Sequence, residues 1–395
     1  MKKNRILILG GGYAEVPLIK AAKNMGNYVI TTGNQKDGVG HSYGDKYVDA
    51  DFSNCELMLD IAKRENITAI CSGCNDFALL STAYVAEKMG LEGHDSYDVS
   101  KLLHHKDRYR KFAESINIPS PKAMVCKDIN DVIKISDNLS FPVMVKPVDL
   151  TGGKGITMCE SLDEAIIAFE KSIDITREKY VIIEEFVEGS RHGFTGLLQN
   201  QKMTFYFGDD EHYYKNQYMV EGASTPSKDM SNIYSKLVKY SEMIARELKL
   251  VDGIFHIQYI LKDGVEPIII EICRRAPGDL YVELVEKSTG VEYAKEIVCL
   301  ESGIKRDIYC MRDSKDYWIR HCVMSEKTGV IKKINYNYGI EKYIDKQLVW
   351  ANQGDCIKNS MTYKAGIIFL KFKNRDKFLE VKNNIHRYIN IEVCN

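Results

Sequence analysis

Over residues 4–100, short apolar runs rich in β-formers alternate with stretches of helical periodicity, and that alternation leaves little choice of fold. "RILILGG" leads into "AEVPLIKAAKNMG" and then "YVITTG"; "KYVDAD", "CELMLDIAKREN", "ITAICSG" and "ALLSTAYVAEKMG" continue the series. Strands separated by helices pair in parallel, with the helices covering the faces of the sheet. Gly10, Gly11 and Gly12 close the first strand where a dinucleotide-binding turn would stand. Counted from Gly10, the G-x-G-x-x-G pattern needs a third glycine where this chain has Glu15. The glycines are therefore read as a tight strand-to-helix turn.

Beyond residue 100 the pattern changes. A charged helical stretch, "SKLLHHKDRYRKFAESINI", ends at "PSPK", a domain boundary. From 122 to about 300 the chain reads as α+β, with strands such as "AMVCKD", "PVMVKPV", "YVIIEEFV" and "HGFTGLLQ". "GIFHIQYIL" and "EPIIIEIC" flank a turn at Asp263-Gly264, which sets Gln258 and Glu271 to face each other across a strand pair. Residues 305–395 form a smaller mixed unit ending in one helix, "NRDKFLEVKNNIHRYI". The expected division is 1–100, 101–304 and 305–395, in keeping with a chain of 395 residues.

A net charge of −1 makes no electrostatic case for nucleic acid or an anionic membrane as partner. The first apolar run is too short for a signal peptide, and no stretch approaches a membrane span. The 11 cysteines are scattered, mostly inside apolar runs (Cys126, Cys273, Cys299, Cys322), and read as reduced thiols of a cytoplasmic protein. Cys71 and Cys74 make one C-x-x-C, but zinc needs further ligands. They are read as small residues in a turn, with Asp76 capping the next helix, and the purified protein is expected to carry no stoichiometric zinc.

"VKPVDLTGGKGI", residues 145–156, has the look of an anion loop. It is not a Walker loop, because Val148 replaces the first glycine and Gly155, not Ser or Thr, follows Gly153-Lys154. Its three glycines still offer backbone that can approach an anion, flanked by Lys146 and Lys154. Lys146 also interrupts an apolar strand directly before the glycines.

Four stretches occur in order around this loop: "HHKDRYRKFAESINIPSP", "FPVMVKPVDLTGGKGI", "YVIIEEFVEGSRHG" and "IIIEICRRAPGD". Together they resemble the ATP-grasp superfamily, over nearly the whole chain. The resemblance implies an α/β and α+β protein: a Rossmann-like N-terminal domain, a two-lobed ATP-grasp domain and a small mixed C-terminal domain. It implies that Thr151, Gly152, Gly153, Lys154 and Gly155 form the loop that closes over the ATP phosphates, with Lys106 and Lys146 as phosphate contacts. Glu184, Glu185, Phe186 and Val187 resemble the hinge that takes adenine, and His192 is the candidate ribose contact. Glu271 matches the carboxylate that holds Mg²⁺ against the phosphates, with Gln258 at the other metal position. Arg275 matches the arginine that steadies the transferred phosphoryl group, and Arg274 is its rival.

Two positions depart from the family pattern. An acidic residue is usual at Gln258 and an Asn at Cys273. Either one metal site is weakened or Asp279 or Glu283 supplies the missing carboxylate. The implied activity is carbon–nitrogen ligation: ATP phosphorylates a small carboxylate, an amine attacks the acyl phosphate, and ADP and phosphate leave. The alternatives are a bicarbonate-phosphorylating carboxylase or carbamoylating enzyme, and an ATP-binding regulator without turnover. Expected partners are small-molecule carboxylate and amine substrates, and a homodimer is compatible with this reading. "GDDEHYYKNQYMVEGASTP" is the expected source of substrate-pocket residues.

Overall fold

A computed structural model describes residues 4–150, 152–227, 230–304 and 316–394. Strands β1 (Arg5–Leu9), β2 (Tyr28–Gly33), β3 (Lys46–Asp49) and β4 (Ala69–Cys71) form a parallel sheet in the order β3-β2-β1-β4. The connections run through α1 (Val16–Asn24) and α2 (Cys55–Arg64), and α3 (Asp76–Met89) follows β4. Alternation along β1 splits its side chains between two cores. Ile6 and Ile8 pack with Leu18 and Ile19 of α1, whereas Leu7 and Leu9 pack with Met58 and Ile61 of α2. A parallel strand covered on both faces reads as an unbroken apolar run for this reason.

The glycine turn after β1 is filled by the chain itself. The Glu15 carboxylate accepts from the backbone N–H of Gly12 at 2.9 Å and of Cys74 at 3.1 Å. A Cβ on Gly10 would lie 2.8 Å from Glu15 Cδ, and one on Gly11 would overlap the His41 ring. The residue that breaks the dinucleotide pattern thus occupies the place of an anion. The following helix starts differently from the expectation: Asn75, not Asp76, caps α3 by accepting from Phe77 N–H.

The charged stretch after residue 96 is also two helices, α4 (Tyr97–His104) and α5 (Lys106–Ser115). His105 between them is extended (φ −79°, ψ 118°) and buried, so Lys106 opens a new helix. Next, β5 (Ala123–Cys126), β6 (Val143–Pro147), β7 (Thr157–Cys159) and β8 (Val181–Glu185) make an antiparallel sheet in the order β5-β8-β6-β7. Helices α6 (Ile129–Ile133) and α7 (Leu162–Ile175) share its core through Val132, Ala165 and Phe169.

The largest sheet begins with β9 (Ser190–Gln199), β10 (Lys202–Tyr213), β11 (Val220–Thr225), β12 (Gly253–Lys262) and β13 (Glu266–Cys273). It continues through β14 (Tyr317–Met324), β16 (Ile344–Val349) and β18 (Lys364–Phe372), in the order β13-β12-β9-β10-β11-β14-β18-β16. A three-residue turn, Asp263-Gly264-Val265, joins β12 to β13, with Asp263 and Gly264 both left-handed (φ 52° and 71°). A register shift between Gln258 and Tyr259 then puts Gln258 directly opposite Glu271. A fourth, small sheet of β15 (Gly329–Tyr336), β17 (Cys356–Ile357) and β19 (Ile389–Cys394) backs the C-terminal part. Helices α8 (Ser231–Glu247), α9 (Tyr281–Thr289) and α10 (Tyr293–Glu301) cover the large sheet and its junctions. The single terminal helix expected from sequence breaks at Asn384 (φ −133°) into α11 (Arg375–Asn383) and α12 (Ile385–Tyr388). Among the described residues no helix is long and apolar enough to cross a membrane.

Candidate active site

A cavity of about 730 Å³ opens between the β5–β8 sheet, the large sheet and the loops that follow β4. Gly152, Gly153, Lys154 and Gly155 form part of its wall, and Thr151 lies outside the described residues. Gly152, Gly153 and Gly155 are all left-handed, with φ of 66°, 73° and 70°. Close approach adds a second demand at Gly153, where a Cβ would sit 2.3 Å from the carbonyl oxygen of Tyr218. The loop therefore lies against the β10–β11 connection with no room for a side chain between them.

Two lysines reach the same cavity. Lys106 donates from Nζ to the Leu150 carbonyl at 2.8 Å, at the root of the glycine loop. Lys146 Nζ lies 2.6 Å from Glu184 Oε2, and Arg110 Nε bonds the other carboxylate oxygen at 2.9 Å. Burial, together with the charges of Arg110 and Lys106, lowers the Lys146 pKa despite the opposing pull of Glu184. Burial works against the Glu184 carboxylate too, but Arg110 and Lys146 outweigh it and hold its pKa at about 2. This corrects the expectation for Glu184. Its side chain is fully buried beneath the cavity and sets Lys146 in place, whereas Glu185, Phe186 and Val187 line the wall.

His192 is a second correction. It alternates with Gly193 along β9 and lies off the cavity, where its Nδ1 is 3.0 Å from Asp210 Oδ1 and its Nε2 2.6 Å from Ser190 Oγ. Its ring stacks on Tyr259. Gly193 itself stands in register between Gln258 of β12 and Asp209 of β10. A Cβ there would lie 2.6 Å from Asp209 Oδ1. Absence of a side chain at Gly193 lets groups on the flanking strands meet across β9, and Gln258 Nε2 donates to Glu211 Oε1 at 2.7 Å.

Glu211 belongs to the stretch expected to line the substrate pocket, but its place beside Gln258 and Glu271 was not expected. It lines the cavity with Gln258 and Glu271, an all-oxygen set of the kind that suits a hard divalent cation. The two substitutes proposed from sequence are committed elsewhere. Glu283 pairs with Lys346 at 2.7 Å, away from the cavity wall. Asp279 reaches the wall but is held by Lys364 at 2.5 Å and by the Tyr13 hydroxyl at 2.7 Å. Cys273 turns its thiol toward Asp76, and burial first of all pushes its pKa far up.

The arginine pair divides cleanly. Arg275 lines the cavity and is clamped by Asp76, Nε to Oδ1 at 2.9 Å and Nη2 to Oδ2 at 2.7 Å. Burial opposes ionisation of Asp76, yet Arg275, His104 and Lys106 hold its pKa down to about 2. Arg274 points the other way, bonding Asp95 at 2.8 Å and the carbonyls of Ile254 and Val251. Deeper in the cavity stands Asp209, whose pKa burial and then Glu211 push up to about 8. Its Oδ1 accepts from Tyr281, and Oδ2 has no partner among the described residues. Arg320 stands nearby with Nε likewise unpartnered. The wall of the cavity thus combines Lys106, Lys146 and the glycine loop with carboxyl groups, Arg275 and Arg320.

A family described as carbamoyl-phosphate synthase L chain, ATP binding domain, matches residues 105–308. Among curated proteins, the chain is 24% identical to the carbamoyl phosphate synthase large chain, C-terminal section, of Methanocaldococcus jannaschii, over 84% of this chain and 55% of that one. It is 26% identical to the carbamoyl phosphate synthase large chain of a Thermoanaerobacter species, over 53% of this chain and 19% of that one. The chain thus spans about half or less of the length of these relatives. Among solved structures, L-amino acid ligase from Bacillus licheniformis superposes over 100% of both chains with a TM-score of 0.84 at 15% identity. Phosphoribosylglycinamide synthetase from Anaerococcus prevotii does so over 100% of both with a TM-score of 0.78 at 24% identity. The biotin carboxylase domain of Hydrogenobacter thermophilus 2-oxoglutarate carboxylase, in complex with MgADP, ADP and bicarbonate, covers 99% of this chain with a TM-score of 0.77 at 16% identity. At these identities the structures establish a shared fold.

Proposed function

Because the chain belongs to the family of the carbamoyl-phosphate synthase L chain, ATP binding domain, we propose that it is an ATP-dependent carboxylate–amine ligase that works through an acyl phosphate and releases ADP and phosphate. The observation that carries this reading is a single cavity lined by Lys106, Lys146 and the glycine loop together with Asp209, Arg275 and Arg320. In this reading residues 1–100, 101–304 and 305–395 act as three units around that cavity.

Lys106 and Lys146 hold the ATP phosphates as point charges, and the backbone N–H groups of the loop supply further donors. Main-chain groups of Glu185 and Val187 read the purine edge, with Phe186 against its face. Glu271, Glu211 and the amide oxygen of Gln258 would hold Mg²⁺, which when bound would neutralise phosphate charge. Arg275, kept rigid by Asp76, faces the oxygens that gain charge as the phosphoryl group moves to the substrate carboxylate. Arg320 orients that carboxylate, and Asp209 receives the amine. The closed loop excludes water, so the amine and not water takes the acyl group.

The test is ADP formation across pairs of small acids and amines with Mg²⁺. Turnover that requires both partners supports the ligase. Turnover driven by bicarbonate alone would replace it with a carboxylating or carbamoylating enzyme, and AMP as product would overturn the mechanism. ATP bound without turnover under any pairing would make the chain a nucleotide-binding regulator.

A further inference from the structure

A second cavity, of about 410 Å³, lies on the C-terminal side of the large sheet. It shares Glu211, Tyr213 and Arg320 with the wall of the first, but its own centre is different. Glu221 of β11, His321 of β14 and His386 of α12 converge there, each offering a ligand atom within 4.8 Å of the others. Strand pairing brings the first two together, since Gly222 stands opposite His321 in the β11–β14 register. The third comes from the last helix, whose ring is held flat against Tyr214 with centroids 3.6 Å apart.

The contacts are close without being ordinary hydrogen bonds. His321 Nδ1 lies 3.1 Å and His386 Nε2 3.3 Å from the same oxygen, Glu221 Oε1. That oxygen is buried and has no hydrogen bond of acceptable geometry, and neither has His321 Nε2. Protonated imidazoles paired with a carboxylate would aim their N–H groups at it. Nitrogen and oxygen ligands about 2.0–2.1 Å from one tetrahedral ion stand roughly 3.3 Å apart. The two histidine-to-glutamate spacings match that separation, and all three ligand atoms lie within 4.8 Å of one another. Two imidazoles and one carboxylate are the donor set of borderline divalent metals, above all zinc, with a fourth position left for water. Glu221 and His321 are each 2% exposed, whereas the His386 side chain is 29% exposed and gives the ion a way in.

We propose that Glu221, His321 and His386 form a binding site for one zinc-like divalent transition-metal ion, separate from the nucleotide cavity, which ties α12 to the large sheet. Cysteines 71 and 74 take no part. The site is therefore the exception to the zinc-free protein that the C-x-x-C alone suggests. It does not depend on the proposed ligase activity.

The experiment uses the full chain, stripped with a chelator and titrated with Zn²⁺ or Co²⁺ in excess Mg²⁺. The expected result is one equivalent bound per chain, a visible Co²⁺ absorption band typical of four- or five-coordination, and a rise in melting temperature. His386→Ala and Glu221→Gln should each weaken binding by more than about a hundredfold, beyond the roughly 10–100-fold that loss of an outer-shell partner costs. Both should abolish the melting shift, whereas Cys71→Ser with Cys74→Ser should change neither stoichiometry nor shift. Circular dichroism of His386→Ala, which alters a half-exposed side chain, checks that the fold is intact if the buried Glu221 variant fails to fold. No uptake by the wild-type chain, or uptake unchanged in His386→Ala, would overturn the site.

Discussion

Three residues of the cavity make sharp claims. Asp209 is held protonated near neutrality, its pKa raised to about 8 by burial and by Glu211, against about 3.9 in an unfolded chain. A raised carboxyl pKa gives stability that is whole below the unfolded value and drains away as pH climbs through the folded one. Asp209→Asn removes that loss, so its melting temperature relative to wild type should increase steadily between about pH 4 and pH 8. A difference that is flat with pH would show that Asp209 ionises normally. Gln258→Glu would replace the donor that bonds Glu211 with a like charge. It should lower the melting temperature without Mg²⁺, by about 1.5–3 kcal/mol of stability, and regain it when Mg²⁺ is added. Differential scanning with and without the ion reads this directly. Arg275→Ala, in the proposed role, should cut kcat far more than ATP affinity, because the contact it loses is made mainly in the transition state. Steady-state kinetics beside equilibrium ATP binding separate the two effects.

Elements decide where those residues stand, and the glycines show how. Gly152 and Gly153 have nearly the same backbone conformation, but only Gly153 lies against the Tyr218 carbonyl. Alanine at either should cost about 1–2 kcal/mol for left-handed backbone. Gly153→Ala should in addition displace the loop from the β10–β11 connection, seen as faster proteolysis of the loop and weaker ATP binding than in Gly152→Ala. Equal behaviour of the two variants would mean that the loop does not rest on Tyr218. The glycine loop was legible in sequence because three glycines beside two lysines need no tertiary information to stand out. Glu211 as a partner of Gln258 was not, because "GDDEHYY" was legible only as a stretch lining the substrate pocket, with nothing to single out one of its acids. Its place beside Gln258 follows from β10 and β12 both pairing with β9, across a position with no side chain.

At the scale of the whole molecule, buried ion pairs join the N-terminal sheet to the rest: Asp76 to Arg275 and Asp95 to Arg274. Asp95→Ala would leave Arg274 buried without its partner and should cost about 3–5 kcal/mol in denaturant unfolding. A loss below about 1 kcal/mol would mean that the carbonyls of Ile254 and Val251 satisfy the guanidinium unaided. The parallel sheet, the strand pair holding Gln258 and Glu271, and the ATP-grasp resemblance were all present in the sequence. They rest on local periodicity, turn chemistry and short motifs, which act over a few residues. Other features came only from the tertiary structure: the break at His105, Glu184 buried beneath Lys146, His192 turned off the cavity, Arg275 rather than Arg274 on its wall, and the Glu221–His321–His386 cluster. Each depends on which face of an element meets a partner far away in the chain. Burial and electrostatics at such a meeting point belong to the packed molecule, and no local pattern of residues carries them.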